Sequence, residues 1–129
     1  SIYSKYSYPA DKGWMIAGDG DMFLFDFGSD RYYVYTLAGT FPNNQWTHIT
    51  VSFVKNANAI IYVNGGVVTT TISGNPSLLA SPSGISAAIG IRTDSPERVF
   101  NGTIDEVMVF NRALSAGEIR LLYENPGYP

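Results

Sequence analysis

The sequence predicts an all-β fold: an antiparallel β-sandwich of jelly-roll type, with one short C-terminal helix. Three observations predict it. Short alternating apolar segments recur at a spacing of about 8–12 residues, separated by Gly, Pro, Asn and Asp. Aromatic residues make up 14% of the chain, with nine Tyr and seven Phe, and such side chains suit a half-buried pleated surface. Only the segment after Leu114 carries the chemistry of a helix start.

The elements follow in order. Ile2, Tyr3, Ser4, Lys5 and Tyr6 alternate as a strand, and residues 8–13, with Pro9 and Gly13, read as the turn after it. Residues 14–17 form a second strand, the Gly18-Asp19-Gly20-Asp21 turn leads into a third over 22–27, and Gly28-Ser29-Asp30 leads into a fourth over 31–36. Residues 37–45 are a loop containing Pro42, Asn43 and Asn44. Residues 46–54 alternate: Thr47, Ile49, Val51 and Phe53 share one face, and Trp46, His48, Thr50 and Ser52 the other. A turn at 55–58 leads to the strand 59–63, then Asn64-Gly65-Gly66 supplies positive-φ residues for a tight hairpin and 67–72 returns as the third strand of a meander. Residues 73–84 are a long loop, 85–91 a strand closed by a turn at 94–96, and 99–110 a last long strand bent at Asn101-Gly102. Ser115 and Glu118 can form a capping box, with Leu114 and Ile119 as the hydrophobic staple. The helix runs over about 116–124, presents Ile119, Leu122 and Tyr123 to the sandwich, and stops at Asn125-Pro126-Gly127.

A chain of 129 residues suits one domain, here 1–129. With 45% hydrophobic and 15% charged residues it can fill a core without staples. Net charge is −3 and the eight Lys and Arg are scattered, which argues against nucleic acid as a partner. No apolar run approaches the roughly 20 residues of a membrane span, so membrane insertion is not expected. With no Cys and one His, disulfides, thiolate catalysis and Cys- or His-rich metal sites drop out. The chain begins at Ser1 directly in strand-like sequence, and is read as a processed or trimmed piece of a longer protein.

Two blocks carry a family resemblance. One is Trp46-Thr47-His48-Ile49-Thr50-Val51-Ser52-Phe53 followed by Ile61-Tyr62-Val63-Asn64-Gly65; the other is the stretch from Phe100 through Ile104-Asp105-Glu106-Val107 and Asn111-Arg112-Ala113-Leu114-Ser115 to Ile119. Together they cover about half the chain and resemble laminin G-like domains of the concanavalin A-like lectin/glucanase group. Residues 2–5 and 13–20 resemble that family's middle strands. The resemblance also implies first strands that this sequence lacks; they lie upstream, come from a partner chain, or are dispensed with in a reduced sandwich. It further implies a structural calcium held in part by Asp105, although Asp105 can equally cap backbone donors near a strand end.

Catalysis is not expected. A retaining glycosidase needs two carboxyls about 5–5.5 Å apart across one sugar. Asp105 and Glu106 are adjacent on a strand and point to opposite faces, and the alternating acidic run of the family's glucanases is missing. His48, on an alternating strand beside Trp46, reads as a hydrogen-bonded structural residue. Asp19 and Asp21 could meet a cation, but Asp-Gly is ordinary turn composition. Trp14 and Trp46 read as core. The Tyr-rich stretches suggest sugar stacking, with alternation sending about half of the rings inward. Asn101-Gly102-Thr103 is a formal glycosylation acceptor that also serves as a family turn.

The function expected from sequence is a non-catalytic extracellular recognition or adhesion module, secreted or on a bacterial cell surface, with glycan as the ligand class that the resemblance implies. Tyr33, Tyr35, Asn43 and Asn44 are the candidate ligand residues, and the loops at 9–13, 43–45 and 73–84 the candidate rim. The alternative is a structural or protein-assembly module of a larger surface protein or appendage, taking a strand from a partner chain or oligomer. A glycoside hydrolase comes third.

Overall fold

The computed structural model describes residues 1–7, 12–28, 32–76 and 83–126. In chain order the strands are β1 (Tyr3–Ser7), β2 (Lys12–Asp19), β3 (Met22–Gly28), β4 (Tyr32–Thr36), β5 (Ile49–Ser52) and β6 (Ile60–Val63). Then come β7 (Gly66–Val67), β8 (Thr70–Ser73), β9 (Ala88–Ile89), β10 (Ile91–Arg92), β11 (Ser95–Val99) and the helix α1 (Ala116–Glu124). The predicted turn residues 8–11 and 29–30, Arg31 at the start of the predicted fourth strand, the middle of the long loop (77–82) and residues 127–129 lie outside the described residues.

Six strands make one antiparallel sheet in the order β8-β4-β3-β2-β1-β9; β5-β6-β7 make a second, and β10-β11 a separate hairpin. The two larger sheets face each other because alternation gives each one apolar face. Phe25, Phe27, Tyr32 and Val34 from the first meet Ala59 and Ile61 from the second, with Trp14, Ile16, Val51 and Phe53 at the edges. The all-β sandwich is thus the observed architecture. In the β1–β2 register Gly13 opposes Tyr6, at φ +92, and a Cβ there would lie 1.8 Å from the Lys5 carbonyl oxygen. Only glycine lets these two strands close.

The 63–66 hairpin forms as expected: Asn64 (φ 50) and Gly65 (φ 76) are its two loop residues, both left-handed. Four expectations need correction. The strand at 46–54 is shorter than expected: it pairs with β6 over Ile49–Ser52, with one further backbone bond from the Asn64 N–H to the His48 carbonyl. The strand after Gly66 does not stay in its meander: it breaks after Val67, and β8 crosses to pair with β4. The predicted strand 85–91 is divided at Gly90 (φ 76), so β9 joins the large sheet and β10 pairs instead with β11, which includes Ser95 and Pro96 from the expected turn. Most consequentially, residues 103–110 form no strand at all. Alternation is present there, but a strand exists only against a partner; none is offered among the described residues, and Glu106 at φ 49 breaks the extended run.

Helix α1 covers the outer face of the small sheet. Ser115 Oγ accepts from the Glu118 N–H, and the Glu118 carboxylate accepts from the Ser115 N–H at 2.8 Å, completing the capping box. Leu114 and Ile119 pack with Tyr62 and Leu122. Arg112 joins the same cap through a 2.6 Å ion pair to Glu118. That guanidinium, with the Ser115 bonds, holds the Glu118 carboxyl down at about 2.

Candidate functional site

Between the two sheets a cleft of about 860 Å³ stays open. One wall is the inner face of the large sheet at Tyr3, Trp14 and Ile16; a second is β5; the third is the unpaired segment 103–110. Tyr3 and Trp14 stack at 4.6 Å, so that wall is a flat aromatic shelf. Opposite it, Val107, Met108, Val109 and Phe110 are all exposed, Val109 at 62%. Four consecutive large apolar residues open to water on a cleft wall form a surface that a ligand can dry.

The backbone of β5 adds polar capacity to this apolar cleft. Asn64 N–H donates to the His48 carbonyl at 2.8 Å, and Val68 N–H donates to the Ile61 carbonyl at 3.1 Å. Antiparallel alternation then fixes the remaining residues: Thr50 and Ser52 turn their amides toward β6, while Ile49 and Val51 turn theirs away from it. Among the described residues β5 pairs only with β6, so the Ile49 and Val51 edge faces the cleft without a ladder partner.

His48 closes one end. Its N–H donates to Asn64 Oδ1 at 3.0 Å, its ring lies 5.8 Å from that of Tyr123, and its Nδ1 is buried without a hydrogen-bond partner among the described residues. Burial pushes the imidazole pKa down, against a smaller upward pull from Glu106. At the other end Ser52 Oγ donates to the Leu114 carbonyl at 3.2 Å.

The predicted ligand residues are divided by the fold. Tyr33 and Tyr35 stack on each other at 5.9 Å, but their neighbours Tyr32 and Val34 point into the core, so the pair faces away from the cleft. Asn43 and Asn44 (φ 60) are exposed in the turn leading to the cleft mouth, where Gln45 and Trp46 line it. Trp46 corrects the expectation of a core residue: it is 71% exposed. Residue type alone favoured burial; its position three residues before a four-residue strand is what leaves it outside. Asp21 takes the turn reading, its Oδ2 accepting from Gly39 N–H at 2.9 Å. Asp105 is exposed on the cleft wall, with Oδ1 accepting from Glu106 N–H at 2.8 Å. It offers one of the six to eight oxygens that calcium takes, and among the described residues no three acidic or His side chains gather as a cage. Sequence reasoning missed the apolar wall 107–110 because it read those residues as a paired strand.

A family model described as Concanavalin A-like lectin/glucanases superfamily, for laminin G domains, matches residues 7–120. This chain belongs to the laminin G-like family. The laminin G-like domain is also 30% identical over 82 residues, 64% of its length, to the adhesion G-protein coupled receptor D1 of Homo sapiens, and it spans 9% of that receptor. A solved structure of an S-layer domain-containing protein from Clostridium thermocellum aligns with 86% of the domain and 63% of that chain, at 22% identity and a TM-score of 0.49. No helix among the described residues is long and apolar enough to cross a membrane.

Proposed function

We propose that this laminin G-like domain is a non-catalytic recognition and adhesion module of an extracellular or cell-surface protein, and that it binds polypeptide in the interlayer cleft. The observation that supports the ligand class is the exposed apolar wall of Val107, Met108, Val109 and Phe110 along the cleft. A wall of aliphatic side chains matches the apolar side chains of a polypeptide better than a hydroxyl-rich sugar. The similarity to a human adhesion receptor supports the extracellular setting. A non-catalytic role is supported by the cleft's two carboxylates, Asp105 and Glu106, which are sequence neighbours with one bonded to the other's amide.

A second reading, glycan binding, is favoured by Trp46 at the cleft mouth beside Asn43 and Asn44, and by the stacked Tyr33–Tyr35 pair. Parallel screening of the immobilised domain against extracellular-matrix polypeptides and a glycan array decides between them. Saturable polypeptide binding weakened at least ~10-fold by Val109→Asp, with the array silent, is the expected result. Array hits that survive Val109→Asp and vanish with Trp46→Ala or Tyr35→Ala would replace it with the glycan reading.

A further inference from the structure

The chain has two Asn-Gly pairs, Asn64-Gly65 and Asn101-Gly102, and the fold treats them oppositely. A glycine carries no side chain to hinder its own amide, so it leaves the side-chain carbon of a preceding asparagine open to attack. Both asparagines are exposed, so access to water does not separate them. Restraint does. Asn64 (φ 50) sits in the β6–β7 hairpin, where its N–H donates to the His48 carbonyl at 2.8 Å and its Oδ1 accepts from the His48 N–H at 3.0 Å. Backbone and side chain are both tied to one neighbour. Asn101 follows β11 in irregular backbone, and among the described residues neither its side chain nor the Gly102 N–H has a hydrogen-bond partner.

Packing explains why glycine stands at 102. A Cβ there would lie 2.7 Å from a Phe100 ring carbon, and the Phe100 ring stacks on Phe41 at 6.2 Å. The turn needs glycine for steric reasons, and that glycine is what makes Asn101 labile. We propose that Asn101 is a site of spontaneous deamidation, an ageing site built into the turn before residues 103–110. The Gly102 nitrogen gives its proton to hydroxide and attacks Asn101 Cγ; the new C–N bond closes a succinimide, the bond from Cγ to the side-chain amide nitrogen breaks, and ammonia leaves. Water then opens the ring at either carbonyl, leaving an aspartyl or an isoaspartyl residue at position 101. Either product adds a negative charge to the segment that already carries Asp105 and Glu106. The isoaspartyl product also inserts a methylene into the backbone, which shifts Gly102 from its fit against Phe100. The chemistry is independent of what the domain binds.

The test incubates the whole domain, produced in a host that adds no N-linked glycan, at mildly alkaline pH. Peptide mapping by mass spectrometry follows both asparagines. The expected result is conversion at Asn101 at least ~10-fold faster than at Asn64, with convergence of the two rates in urea, where the hairpin no longer restrains Asn64. Anion exchange should resolve a more acidic form that Asn101→Gln abolishes, because the longer side chain closes its ring far more slowly. Asn101→Asp carries the charge without the extra methylene, so the isolated isoaspartyl form should unfold at least ~0.3 M urea below it. Equal rates in the folded domain, faster loss at Asn64, or an Asn101 that converts in urea but not when folded would overturn the proposal. An isoaspartyl form as stable as Asn101→Asp would overturn the claim that conversion disturbs the Phe100 packing.

Discussion

Replacing Ile119 with Ala tests how the C-terminal helix is held. Ile119 is 0% exposed and packs against Tyr62 and Leu114 with Leu122 beside them, while the helix is only nine residues long. A helix of that length is marginal alone, so its docking contacts hold it. Truncating a fully buried Ile to Ala costs about 2–5 kcal/mol. Two effects pull toward the lower half: Ala is the better helix former by about 0.4 kcal/mol, and an outer helix can settle partly into the void. The expected loss is about 2.5–3 kcal/mol, a large share of a domain stability of roughly 5–15 kcal/mol. With a urea m-value near ~1.5 kcal/mol/M, the unfolding midpoint should fall by about 2 M. Leu121, 53% exposed on the same helix, is the control, and Leu121→Ala should move the midpoint by less than ~0.3 M. Equal shifts for the two variants, or less than ~0.5 M for Ile119→Ala, would refute the docking account.

The remaining predictions concern the cap, two glycines, pH and calcium. Ser115→Ala removes the acceptor for the Glu118 amide and should cost about 1 kcal/mol in the same urea assay. Gly13→Ala should prevent folding or cost several-fold more than Gly20→Ala, because its Cβ meets Lys5 backbone at 1.8 Å while nothing lies within 4 Å of Gly20; circular dichroism melts compare them. The folded state lowers the His48 pKa, so the unfolded chain binds more protons below the ordinary value of 6.5; stability present above that value is lost as pH falls from there toward the folded pKa, and His48→Gln should flatten that step. Glu118 behaves likewise further down: its contribution, present above 4.5, fades as pH falls toward about 2, and Glu118→Gln should remove that dependence. Adding calcium or EDTA should leave the melting temperature unchanged, since Asp105 offers a single carboxylate; a calcium-dependent rise abolished by Asp105→Asn would show that further ligands complete a site there.

What the sequence made legible was whatever short-range chemistry decides. Ser115 and Glu118 specify a cap through contacts three residues apart, and Asn64-Gly65 specifies a two-residue hairpin through allowed φ values; both formed as read. The meander β1 to β4 was legible because its alternation and turns agree. Residues 103–110 were misread because a strand is a relation between two segments, and alternation records only one side of it. For the same reason the sheet change between β7 and β8 escaped notice: Val67, Val68 and Ile72 read as one strand, and only the position of β4 shows where the second half finds its partner. The site was less legible than the fold. Residue type marks out Tyr33 and Tyr35, whose register on β4 turns them away from the cleft, while the alternation of Val107 to Phe110 reads as strand pairing and not as exposed surface.

Residue-resolved amide exchange on the unliganded domain puts the open seam to trial most directly. Thr50 and Ser52, facing β6, should exchange slowly, whereas Ile49 and Val51, facing the cleft, should exchange at least ~100-fold faster. Four comparably protected amides in the monomer at high dilution would mean the seam is already filled, and the account of an open cleft beside β5 would be wrong.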